Sequence, residues 1–401
     1  MIEYSEFVRL SRSNDSDERG HAAHLAALVF LDHNGPADEH AALYAALISF
    51  LDDPSVKVRA ALAYGLLHSL DAPRPIMIAL LQDSPIISRA ILQYSPILID
   101  ADLLGCVRKG DQSIWLAIAQ RSKLSPRIAA ELIARQDRNI TEHVVRRADV
   151  SVDSELLVEL ARSQGQDAKM RGALLSRPDL PAPARLILVQ RVTEALRELR
   201  LVRGALAPDR LVRLLRDGSD TALSSIGENE ACQQRRDFVQ GLVGSSQLNS
   251  RILLHAVVTG HVMFFASCIA ELAEVSREKV FTLLESGSRA ALWALFMRAG
   301  ISADLGKVLV QLVLYARTAD LADDITARHY VVTALTEELI NDHDGVIPPA
   351  LEETFAYLSE QNIALARKAA RGVMRAFAET THLAMALPPA AREPMLELPA
   401  A

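Results

Sequence analysis

Apolar residues recur through the first half of the chain at intervals of three and four, the spacing of one helix face. The clearest stretch is 51–67, LDDPSVKVRAALAYGLL, where Asp53 suits a helix cap and Pro54 a first turn. An aspartate returns before similar stretches at Asp83, Asp111, Asp137 and Asp167, at intervals of 30, 28, 26 and 30 residues. Three residues on stand Val56, Ile86, Ile114, Ile140 and Met170. Seven on stand Ala60, Ala90, Ile118, Val144 and Leu174, and eight on stand Ala61, Ile91, Ala119, Val145 and Leu175. All are apolar, so this register predicts that Ala60, Ala90, Ile118, Val144 and Leu174 are buried. A second apolar helix follows in each unit, starting near Pro73, Asp100, Ser125-Pro126, Ser151 and Pro181. The unit is a helical hairpin of about 26–30 residues. One hairpin cannot bury its apolar faces alone, whereas stacked hairpins share a continuous core, as in an α-solenoid.

Asp53, Pro54, Val58, Arg59, Ala61 and Gly65 resemble the second helix of a HEAT repeat, with residues 37–53 as its first helix. Arg89 keeps the place of Arg59, while Ala117, His143 and Ala173 do not. The resemblance implies a HEAT-like array of variant, shortened units. Residues 17–31 read as its capping helix, and 186–201 as a longer helix that Gly204 and Pro208 interrupt.

After about 205 the repeat register is lost, but helical patterning continues through 208–216, 232–243, 248–258, 261–274, 276–285, 288–299, 302–317, 321–341, 348–360 and 361–379. Glycines 218, 244, 260, 287 and 300 and Pro348-Pro349 punctuate it. The expected fold is all-α: a HEAT-like α-solenoid with an N-terminal cap over 1–204, an irregular helical domain over 205–383, and a mobile, proline-containing tail over 384–401. This layout, together with the run 253–300, resembles a family of uncharacterised alphaproteobacterial proteins with HEAT-like repeats and a helical C-terminal region of unknown function. That resemblance carries over no catalytic residues.

Composition supports helix packing: 50% of residues are apolar, 23% charged and only 5% aromatic. The net charge of −7 excludes a uniformly basic nucleic-acid coat. Cys106, Cys232 and Cys268 lie far apart and suit a reducing compartment, and MIEYSEFVRL has no apolar leader. A cytoplasmic location is expected. Residues 252–270 run 19 positions without a charge, but His255, Gly260 and His261 favour two short buried helices over a membrane span.

Candidate chemistry is sparse. His21, His24, His33 and His40, near Asp17 and Asp32, fall on separate elements without a cysteine, so no metal site is expected. NDHDG (341–345) would place Ile340 at the first ligand position of a calcium loop, so it reads as a helix-ending turn. SSIGENE (224–230) lacks the Lys-Ser/Thr of a phosphate loop. VSREKVFTLLESG (275–287) has Phe281, Leu283 and Leu284 where a DNA-reading helix needs polar side chains. No cofactor and no catalytic residue is expected.

Charge is unevenly spread. Between 171 and 216, ten arginines face four acids. Arg185, Arg197, Arg200, Arg203, Arg210, Arg213 and Arg216 are therefore the candidate interaction surface, with Arg197, Arg200 and Arg203 expected on one helix face. The function read from these features is a non-enzymatic, helical-repeat protein–protein interaction adaptor or regulator with a partner of acidic character. Two alternatives are a nucleic-acid-binding HEAT-like protein, disfavoured by 36 arginines against only 7 lysines, and a regulator holding a small molecule around Phe264, Phe265 and Trp293. An enzyme of the HEAT-like DNA glycosylase kind would need exposed aromatics in a basic groove, and the array's one tryptophan, Trp115, falls in the packing register.

Overall fold

The computed structural model describes residues 4–385, and every regular element among them is a helix. The expected mobile tail falls outside these residues from position 386 onward. The chain divides into two compact units, one ending at Arg191 and one beginning at Val192.

The first unit runs α1 (Tyr4–Ser11), α2 (Ser16–Asp32), α3 (Ala37–Leu51), α4 (Val56–Leu66), α5 (Arg74–Leu81), α6 (Pro85–Tyr94), α7 (Asp100–Lys109), α8 (Gln112–Ala119), α9 (Pro126–Ala134), α10 (Arg138–Arg146), α11 (Ser154–Gln164) and α12 (Ala168–Leu175). Each even-numbered helix packs on the next even-numbered one, and α3, α5, α7, α9 and α11 each pack on the helix that follows. The buried side chains between them form one continuous apolar core. α2 and α4 pack closely at Gly65, which offers no side chain: a Cβ there would stand 2.6 Å from that of Ala27.

The structure corrects the repeat register. Asp111, Asp137 and Asp167 are helix N-caps, each accepting a backbone N–H of the first turn. Asp53 and Asp83 are not; the caps of α4 and α6 are Ser55 and Ser84. Counted seven residues from the true caps, Leu62, Ile91, Ile118, Val144 and Leu174 are all fully buried. Ala60 and Ala90 are only half-buried, and Val56 and Ile86 lie on the surface, 41% and 68% exposed.

The freed aspartates have another use. Arg19 donates from Nε to Asp53 at 2.7 Å, and Arg59 donates from Nε to Asp83 at 2.6 Å, tying α2 to the start of α4 and α4 to the start of α6. These partners hold both carboxyl groups below the usual carboxylate range. Arg89 does not repeat the rung; its Nε turns back to the Pro85 carbonyl.

From α8 onward a different arginine takes over, ten residues after each cap. Arg121 donates to the carbonyls of Leu92 and Ser95 at the end of α6. Arg147 donates to those of Ala119, Arg121 and Ser122 after α8. Arg177 donates to those of Val145, Arg147 and Val150 at and just beyond the end of α10. The last carbonyls of a helix lack intrahelical donors, and a planar guanidinium can satisfy several of them at once.

The second unit continues from α13 (Ala182–Glu198), which spans the division, through α14 (Arg200–Ala205), α15 (Pro208–Cys232), α16 (Asp237–Gly244), α17 (Ser250–Val258), α18 (Val262–Ala273), α19 (Arg277–Ser286), α20 (Arg289–Arg298), α21 (Ala303–Ala316), α22 (Ile325–Asp342) and α23 (Glu352–Met385). The expected break at Gly218 is absent, and α15 runs unbroken for 25 residues. Its Gly227 lies against the ring of Phe264, where a Cβ would come within 2.2 Å. The two helices expected over 348–379 are one, α23. The turn at Gly260 is present, with φ +80° between α17 and α18. Arginines again close helix ends: Arg277 donates to the Ala231 carbonyl at the end of α15, and Arg317 to those of Leu283, Leu284 and Gly287 at the end of α19.

Candidate interaction surface and a buried ionic cluster

The seven candidate arginines do not form a single group. Arg185 belongs to the first unit, is half-buried, and donates to the Pro178 carbonyl at 3.5 Å. The other six lie in the second unit and are exposed. Arg197 lies in the last turn of α13, and the backbone is extended at Leu199, so Arg197 does not share a helix face with Arg200 and Arg203 on α14. Arg203 is paired with Glu198 and also donates to the Arg197 carbonyl. Arg210, Arg213 and Arg216 ride together on α15. Among the described residues, the side chains of Arg197, Arg200, Arg210, Arg213 and Arg216 make no ion pair. Exposed leucines stand among them, Leu199, Leu201 (85% exposed) and Leu214, with Val212.

The inner side of α15 carries charge that sequence reading missed. Arg251, on α17 and 6% exposed, donates to Asp217 at 2.6 Å and Asp220 at 2.7 Å on α15, and to Glu360 on α23 at 3.4 Å. Its guanidinium also lies 4.9 Å from the ring centre of Tyr357. Burial opposes the Arg251 charge, but the hydrogen bond and charge of Asp220, with the charges of Asp217 and Glu360, raise its pKa above the ordinary value. Burial pushes the Asp217 carboxyl upward despite Arg251.

His255, one turn along α17, extends the network. Thr221 donates its hydroxyl proton to the Asp217 carbonyl, which leaves its oxygen to accept from Nε2 of His255 at 3.2 Å. Nδ1 then accepts from the Tyr357 hydroxyl at 3.0 Å. With the ring neutral, both nitrogens and the Tyr357 hydroxyl proton are used; an imidazolium would leave that hydroxyl proton without its acceptor. Burial, with the charges of His261, Arg251, Lys368 and Arg328, lowers the His255 pKa to about 4. Acid should therefore destabilise this unit. The unfolded chain takes up a proton near 6.5 and the folded one only near 4, so stability drains across that window by about 2–3 kcal/mol. Asp217, pushed the opposite way, gives some of it back. Denaturant titrations from pH 7 to 4.5 on the wild type and His255→Gln should diverge by about 2 kcal/mol; parallel curves would show that His255 is not held neutral.

The other sequence candidates lie elsewhere in the two units. The ring centroids of His33 and His40 are 5.9 Å apart, and Trp115 donates to the Val107 carbonyl. Among the described residues, no three His, Cys, Asp or Glu side chains are placed to hold a metal. Phe264 and Phe265 are buried, and Phe265 lines a 480 Å³ cavity with Val257, Phe281, Leu284 and Val313, while Trp293 stands beside Gly306. No helix of the described residues is long and apolar enough to cross a membrane.

A family model described as an uncharacterised protein conserved in bacteria (DUF2336) matches residues 87–345, more than half of the chain. The chain belongs to this family. No curated protein and no solved structure matches it. The DUF2336 region opens in α6 and closes at the turn after α22. It therefore includes the arginine rungs at 121, 147 and 177 and the charges on α15 and α17, while Tyr357 and Glu360 lie beyond it.

Proposed function

We propose that this chain is a cytoplasmic, non-enzymatic adaptor: a HEAT-like helical array joined to a helical unit that recognises a protein partner. The observation carrying this reading is the surface of 196–216, where five arginines without ion pairs are interleaved with exposed leucines and a valine. Most arginines elsewhere hold helix ends or pair with acids, so unpaired ones beside solvent-exposed apolar side chains stand apart. Complementary chemistry is an acidic segment with an apolar face. A nucleic-acid strand fits less well, because 196–216 has no aromatic ring for base stacking and its leucines would stay wet. The stacking of even-numbered helices supports the solenoid reading of the first unit.

The test is capture from the native cell by wild type and by Arg197→Glu/Arg200→Glu/Arg210→Glu/Arg213→Glu, with nuclease-treated lysate in parallel. Partner recovery should fall about tenfold or more in the variant and with added salt, while the helical signal stays unchanged. Equal recovery by a folded variant would remove this surface from the function, and recovery lost to nuclease would transfer it to nucleic acid.

A further inference from the structure

Unpaired cations meet exposed apolar side chains at a second place, the outer half of α23. The helix is rooted in its unit by Tyr357, Leu358, Gln361 and Leu365, all buried. Beyond Leu365, no side chain described up to Phe377 is buried. The stretch 361–378 carries Arg367, Lys368, Arg371 and Arg375 and no acid, in a chain whose net charge is −7. All four cations are exposed, and none makes an ion pair among the described residues. At about 100° per residue the side chains sort into two adjoining stripes. Ile363, Ala366, Ala370, Val373, Met374 and Phe377 form an apolar one, in which Ile363 is 56%, Val373 55%, Met374 70% and Phe377 63% exposed. Arg367, Arg371 and Arg375, four apart, run along its edge, with Lys368 beyond them. The opposite side of the same stretch holds Ala369, Gly372 and Ala376.

We propose that this half of α23 is a membrane-surface helix, lying flat on an anionic bilayer with its apolar stripe among the upper acyl chains and its arginines at the level of the lipid phosphates. Charge selects an anionic partner, and pairing two such stripes from two copies of the chain would set four cations against four. The apolar stripe excludes a purely polar polyanion: a nucleic-acid strand or an acidic coil would satisfy the arginines but leave Ile363, Val373 and Met374 in water. Geometry favours a flat partner over a protein groove. Both stripes lie on one side of the helix, and the alanine–glycine side gives a surrounding groove nothing to hold. From Ile363 to Phe377 the stripe runs about 21 Å. Cations recur along it turn by turn, so a bilayer meets the apolar and the charged side chains together over its length. The arginine surface at 196–216 differs on each count: it includes Glu198 and Asp209, and it is broken between α13, α14 and α15. Contact of this kind is peripheral and needs no helix that crosses the membrane. It does not depend on the adaptor reading.

The experiment is flotation of the full chain with vesicles of phosphatidylcholine alone and of an equal mixture of phosphatidylcholine and phosphatidylglycerol. The chain should float with the mixed vesicles and not with phosphatidylcholine alone, and added salt should release it. Arg367→Glu/Arg371→Glu/Arg375→Glu and, separately, Met374→Ser/Phe377→Ser should each lower the apparent affinity by about tenfold or more. These side chains are exposed, so circular dichroism and melting should match wild type. Phe377→Trp reads insertion directly. After subtraction of the wild-type signal from Trp115 and Trp293, its emission should shift to the blue on the mixed vesicles and be quenched by brominated acyl chains. Arg197→Glu/Arg200→Glu/Arg210→Glu/Arg213→Glu should float as wild type does, which separates this helix from the arginine surface. The proposal is overturned if the chain ignores the mixed vesicles, or if Met374→Ser/Phe377→Ser floats unchanged, since charge attraction alone would then account for the contact. It is also overturned if the Phe377→Trp emission does not shift, or if the 196–216 variant and not the α23 variants abolishes flotation. Loss of a lysate protein by the α23 variants without any vesicle binding would overturn it in favour of an acidic protein partner.

Discussion

Arg251→Met should lose about 3–5 kcal/mol of folding stability at pH 7, a large share of what a domain of this size has. The side chain is nearly sealed from water and holds three carboxylates, those of Asp217, Asp220 and Glu360. Methionine fills similar volume but leaves these acids facing one another without a countercharge. The penalty comes chiefly from the abandoned charges, since a buried pair replaced whole by apolar groups is often near neutral. Two signatures follow. The deficit should shrink as pH falls from 7 toward 5, because Asp217 already titrates high and would rise further without Arg251. Adding Asp217→Asn and Asp220→Asn to Arg251→Met should restore much of the loss. Denaturant unfolding of the three proteins at pH 7 and pH 5 reads both. A single-variant loss under about 1 kcal/mol would mean that water reaches the cluster and screens it.

This cluster was not legible along the chain, and the reason is physical. Its members lie on α15, α17 and α23, with more than a hundred residues between Asp217 and Glu360. No local spacing marks them. Arg251 and His255 are four apart, an ordinary helical interval, and His255 sits in an apolar run that reads as core. The only sequence hint is a polar pair, Asp217 and Asp220, one turn apart beside the buried half of α15. The helices themselves were legible, because their apolar spacing is local. Where the register slipped, at Asp53 and Asp83, it did so because α4 and α6 have two apolar faces, one packed inward through Leu62 and Ile91 and one outward through Tyr64 and Tyr94. Alignment on aspartates selected the outward one. The arginine surface was legible as charge but not as geometry. A charge count cannot separate Arg177, which is buried, from Arg213, which is exposed. One signal could have separated them: arginine followed two residues later by aspartate, as in Arg147-Ala-Asp149 and Arg177-Pro-Asp179.

That motif yields the second large effect. Arg177 uses all five of its N–H donors. Nη1 serves the Val145 and Arg147 carbonyls, both at 3.0 Å; Nη2 serves the Val150 carbonyl at 2.8 Å and Asp179; and Nε serves Asp179 at 2.8 Å. The residue is 3% exposed, so the carbonyls at the end of α10 rely on it where water is scarce. Arg177→Lys keeps the charge, and on a charge argument alone it would be silent. On the hydrogen-bond argument it should cost about 2–4 kcal/mol. An ammonium has three donors, none in a planar fork, so at least two buried acceptors go unmet at about 1–2 kcal/mol each. Arg213→Lys, on the exposed side of α15, is the matched control and should change stability by no more than about 0.5 kcal/mol. Thermal unfolding of the two variants beside wild type decides it. Equal melting of all three would show that charge alone is what the repeat demands at 177, and the preference for arginine over lysine in this chain would need another cause.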